Sequence, residues 1–158
     1  MRPFRPLPAR LSIALLIFMA LALIGADGEA VDSWDQEKAA AASTELAASL
    51  DGLRDALRSE PPPGIGSGAR TRHELRDRLR LMENESKHLA AELMDGQGRD
   101  ATYPVFRRIN AIRRDAVEEA QRMFLQQPVR DKIESASGPL EKLAGYYGVK
   151  LDRQLEMR

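Results

Sequence analysis

The chain has no cysteine. That excludes thiol catalysis, iron–sulfur clusters, thiolate zinc sites and covalent haem attachment through a C-x-x-C-H motif. No disulfide can staple the fold, so packing alone must hold it. Histidine is scarce as well: His73 and His88 are the only two, too far apart in sequence for an i, i+4 metal pair. Neither sign of charge is in excess, with 24 Lys and Arg against 24 Asp and Glu. Such a balance supplies no net field for a polyanion, and no nucleic-acid partner is expected. The sequence also lacks a G-x-S-x-G elbow, a phosphate loop, an H-E-x-x-H motif and an acid pair fixed by rigid elements. The expectation is a protein that is not an enzyme.

What is present begins with residues 1–30. Arg2, Arg5 and Arg10 precede an apolar run, Leu11–Ile24, broken only by Ser12, and the small residues Gly25, Ala26, Gly28 and Ala30 follow. A positive front, a short apolar centre and a small-residue exit predict a secretory signal peptide. As a helix the run spans roughly 21 to 24 Å, short of a hydrocarbon core of roughly 30 Å. Cleavage after Ala26 or Ala30 is expected, and Gly28 before Ala30 gives the better small-x-small pattern. A retained anchor facing the periplasm from the inner membrane is the alternative, and the only form in which membrane contact is expected. Removal of residues 1–30 leaves 21 basic and 22 acidic residues.

Alanine, leucine and charged residues dominate the rest, which favours helix. Four segments carry helical periodicity. The first runs from about Ser33, its expected cap, to Glu60, with a stripe of Ala39, Ala42, Leu46, Leu50, Leu53 and Leu57. Pro61, Pro62, Pro63, Gly64, Gly66 and Gly68 then break it. The second starts at Thr71, with Glu74 completing a capping box, and its seam is Leu75, Leu79, Met82, Ser86, Leu89 and Leu93. Asp95 and Gly96 end it. The third starts near Thr102 with Pro104 in its first turn, and carries Val105, Ile109, Ile112, Ala116, Ala120 and Met123, widened by Phe106, Val117 and Phe124. The fourth runs from Pro128 to Gly148 with Val129, Ile133, Ala136, Leu140, Leu143 and Tyr147. Gly138-Pro139 inside it is expected to kink or split the helix. Residues 149–158 read as a flexible tail.

The connections set the directions. A helix of about 25 residues is roughly 37 Å long, and the second and third breaks are too short to return that distance. The first linker, about ten residues, reaches at most about 33 to 36 Å. The expected fold is therefore an all-α, antiparallel up-down-up-down four-helix bundle over residues 31–148, preceded by the apolar signal helix. The alternative is a three-helix bundle with the first helix separate or swapped within a homodimer.

That topology gathers Trp34, Tyr103, Phe106, Tyr146 and Tyr147 at one end, as a hydrophobic plug or a patch for a partner or ligand. At mid-height Gly52 and Ala136 form a small-residue layer, with Ser135 and Ser137 beside it. Glu119 points there if the heptad count is strict, with Arg76 and Arg80 as its partners. Arg72, Arg76 and Arg80 make an anion-binding candidate. Arg107, Arg108, Arg113 and Arg114 read as solvated surface. His73 and Met123 are the metal or haem alternative, at the other end. An exported four-helix bundle with one His and one Met resembles the cytochrome b-562 type, which implies b-type haem, although no His lies on the last helix; copper is the other cofactor considered. The leading expectation is an exported bundle that binds another envelope protein, as a periplasmic accessory, adaptor or chaperone-like factor. A cofactor carrier and a membrane-anchored subunit of a larger complex are the alternatives.

Overall fold

The computed structural model describes residues 33–60 and 67–151. The expected export segment, the linker at 61–66 and residues 152–158 lie outside the described residues. Four helices pack together: α1 (Gln36–Ser59), α2 (Ser67–Met94), α3 (Arg99–Gln121) and α4 (Gln127–Tyr147). Among the described residues there is no strand, and no helix is long and apolar enough to cross a membrane.

The cap of α1 is Asp35, not Ser33. Asp35 is extended, and its Oδ1 accepts from the Lys38 amide at 3.0 Å, satisfying one of the helix's unpaired donors. The expected stripe of α1 is buried, and Ala40, Ser43 and Ala47 are buried with it. The burial is wider than one stripe because α1 packs against two neighbours, α2 and α4. The first helix is thus not separate: it packs against α2 and α4 of the same chain.

Helix α2 begins before Thr71, so the capping box with Glu74 does not form and Gly68 lies inside the helix. Glu74 instead accepts from Arg70 Nε at 2.9 Å, an i, i+4 pair. Every residue of the expected seam is buried, and Ser86 satisfies its hydroxyl on the Met82 carbonyl at 2.8 Å. Gly96, at φ +88°, turns the chain out of the helix.

Helix α3 starts earlier than expected, which places Pro104 beyond the first turn. The carbonyl deprived of its donor is that of Asp100, an exposed residue whose carbonyl water can reach. Helix α4 runs unbroken through Gly138 and Pro139. Glycine lacks the Cβ that would meet the proline ring in a helix, and the deprived carbonyl belongs to exposed Ser135. Gly148, at φ +66°, closes α4 in the left-handed conformation, and the Val149 amide returns to the Ala144 carbonyl at 2.8 Å. Val149 and Leu151 then pack against the core, so the expected tail is anchored at least through residue 151.

Side-chain contacts tie neighbouring helices together. Gln36 Nε2 donates to the Leu93 carbonyl at 2.7 Å, tying the start of α1 to the end of α2. Arg78 lies opposite Asp115, and Arg108 opposite Glu85, across α2 and α3. Lys142 on α4 meets Glu45 on α1 at 3.0 Å. The fourth side differs from the other three: α3 and α4 barely touch each other. Their contact gathers where Tyr147 meets the start of α3.

Candidate functional site

Tyr147 organises the aromatic end. Its ring stacks on Phe106 (centroids 4.5 Å, planes 12° apart), meets Trp34 edge-on at 5.3 Å and lies 6.0 Å from Tyr103. The hydroxyl shares a 2.7 Å hydrogen bond with Thr102 Oγ1, and Arg99 Nη2 donates to the Tyr147 carbonyl at 2.8 Å. Burial pushes the Tyr147 phenol above its ordinary pKa, against the opposing pull of the Thr102 bond. Phe106 and Tyr147 are core residues, while Trp34 and Tyr146 are half-buried. Tyr146 packs against the core but makes none of these ring contacts. Tyr103 is the exposed member, at 38%.

From that cluster a cavity of about 270 Å³ opens along α3 toward the chain that follows α4. Its walls are Tyr103, Phe106, Arg107, Asn110, Ala111, Arg114 and Val149. Helical spacing explains the set: residues 103, 107, 110, 111 and 114 fall on the flank of α3 next to its buried stripe. Behind the wall residue Asn110 the buried Arg113 is bonded to it, with Nε donating to Asn110 Oδ1 at 3.1 Å. Arg113 was expected in solvent and is only 5% exposed. It shares a helix face with Ile109 and Ala116, so the geometry of α3 carries it inward.

At the other end a carboxylate does the fastening. Glu60 accepts from the Gln126 amide at 3.0 Å and from Arg72 Nη2 at 3.0 Å, while Arg72 Nη1 donates to the Glu60 carbonyl at 3.2 Å. One residue thus joins the end of α1, the start of α2 and the entry to α4. Arg72 is therefore occupied, and it does not stand with Arg76 and Arg80 as an anion ligand. Those two instead line a cleft of about 140 Å³ with Arg54, His73 and Asp77. Glu119, expected to pair with them, bonds Arg122 at 3.1 Å. The reason is local: Arg122 lies one turn on along the same strip of chain. Above Gly52 lies the Lys132 side chain, 3.9 Å from where a Cβ would stand.

His73 is exposed, with Nε2 3.3 Å from Asp77 Oδ2, and Met123 packs against the core. Neither cavity described above contains both. Among the described residues no three His, Asp or Glu side chains gather as a metal site. Sequence reasoning missed Asn110, Arg113 and Glu60. The first two are polar residues on an otherwise apolar stripe, and only the arrangement around α3 reveals their burial. Glu60 finds its acceptor role 66 residues away in sequence.

No protein-family model matches the chain, and no curated protein or solved structure matches it either.

Proposed function

We propose that the chain is an exported, antiparallel up-down-up-down helical-bundle protein that acts by binding another envelope protein, not by catalysis. The observation that carries this reading is the cavity along α3 on the side where α3 and α4 leave each other uncovered. It pairs an exposed tyrosine with arginines, residue types enriched at binding hot spots. Among the described residues Arg107 and Arg114 have no acidic partner. That charge calls for an acidic segment, with an apolar or aromatic side chain to sit beside Tyr103 and Val149. Export rests on the Arg-rich front and apolar run of residues 1–30.

Two measurements test this. A photoreactive residue in place of Arg107 is expected to capture a discrete partner in intact cells, and the same residue in place of Glu45 is expected to capture none. Equal capture at both positions would overturn the assignment of the face. Mass spectrometry of the mature protein is expected to find Asp27 or Val31 at its N-terminus; an intact first residue would overturn cleavage.

A further inference from the structure

The cleft between α1 and α2 has a chemistry of its own. Its α2 residues, His73, Arg76, Asp77 and Arg80, stand at i, i+3, i+4 and i+7, one face of the helix, and Arg54 closes the cleft from α1. Three guanidinium groups thus face one carboxylate. That carboxylate is engaged by His73. Arg54 Nη1 is held by Glu83 Oε2, with Asp51 Oδ1 at 3.7 Å.

Arg76 and Arg80 differ from the arginines around them. On the same helix Arg70 is met by Glu74, Arg72 by Glu60 and Arg78 by Asp115. Among the described residues Arg76 and Arg80 have no hydrogen bond or ion pair. They sit at i, i+4, where like charges repel and weaken the helix that carries them. Arg76 is half-buried, so its charge is partly withdrawn from water, and among the described residues no carboxylate bonds it. An anion between them would remove both costs.

We propose that this cleft binds a phosphate-type oxyanion, with Arg76 and Arg80 as its principal donors and Arg54 as the wall on α1. Guanidinium groups match tetrahedral oxyanions with paired, charge-assisted hydrogen bonds. The volume, about 140 Å³, lies well below the roughly 300 Å³ at which pockets for drug-sized ligands begin. It suits a single phosphate group, free or as the exposed head of an anionic lipid, and is too small for a whole nucleotide. Asp77 opposes binding and sets its strength. The site is separate from the cavity along α3, and neither proposal depends on the other.

The test uses the purified full-length chain, with inorganic phosphate as one probe and phosphatidylglycerol vesicles, against phosphatidylcholine vesicles, as the other. Phosphate binding is followed by NMR of the arginine Nε–H groups and of the backbone over residues 73–80. Saturable shifts confined to the cleft are expected. The double variant Arg76→Gln/Arg80→Gln should weaken binding by about tenfold or more, because two charge-assisted bonds are lost. Asp77→Asn should tighten it. The melting temperature of the double variant should not fall, since neither arginine holds a partner among the described residues. If phosphate fails to saturate but phosphatidylglycerol vesicles alone bind, and binding needs Arg76 and Arg80, the oxyanion is a lipid head and the site stands. Absence of saturable binding to both probes would overturn the proposal. So would equal binding by the wild type and the double variant.

Discussion

Glu83 shows how one side chain can carry a condition-dependent share of stability. Its carboxylate is buried on α2 and bonded by Arg54 from α1 and by Lys87 at 2.6 Å. Burial works to raise its pKa, and the two cationic partners outweigh that, so the group is held below the ordinary glutamate value. A depressed carboxylate stabilises the fold fully above its unfolded pKa of about 4.3, and that contribution is lost as pH falls through the lower folded value. Glu83→Gln is expected to cost about 1–3 kcal/mol near neutral pH. The gap from wild type should narrow steadily below about pH 4. Urea unfolding at pH 7, 5 and 3 checks this, and a gap independent of pH would contradict it. Nothing in the sequence marks Glu83 as buried. It sits beside the seam residue Met82, and its partner Arg54 is 29 positions away. The nearness of Trp34, Tyr103 and Phe106 to Tyr147 was legible, because the arrangement read from the stripes already put them at one level; Tyr146, read with them, makes none of these ring contacts.

Helices were legible as elements because each must bury a stripe, and periodicity records that need. Their ends were less so, because competing caps decide them. Asp35 displaces Ser33, and α2 starts ahead of its apparent box. Gly138-Pro139 reads as a break, yet α4 passes through it because the pair is compatible with helix when its first member lacks a Cβ. This has a measurable consequence. Space around Gly138 is open, so sterics with other helices would permit alanine. An ordinary helix interior would gain about 1 kcal/mol from that change. Gly138→Ala is expected to give no such gain, because the new Cβ meets the Pro139 ring; a rise in thermal stability of that size would contradict the account. At the start of α4, Glu60 fastens the helix entry. Glu60→Ala is expected to cost about 2 kcal/mol through the lost bonds to the Gln126 amide and Arg72. Amide exchange should quicken over residues 126–130 more than over 140–147. Uniform quickening would mean that Glu60 serves overall stability and not the docking of α4.

For the four helices together, the decisive feature is asymmetry. Helix α1 is covered on two sides, α2 lies between α1 and α3, and the α3–α4 side closes chiefly through Tyr147. Stripes and linker lengths do predict four mutually packed helices. They do not predict which pair stays apart, because that depends on side-chain volume at each level. Ala136 and Ser137 on α4 are small, and α3 presents Asn110 and Arg113 where larger apolar groups would have sealed the gap. The open side carries the proposed binding function, and its charge gives the sharpest test. The variant Arg107→Glu/Arg114→Glu reverses charges that hold no acidic partner among the described residues, so its melting temperature should match the wild type. Capture by a photoreactive residue placed at Tyr103 is the measurement: the account predicts that the wild-type adduct disappears in this variant while the fold persists, and an undiminished adduct would contradict it.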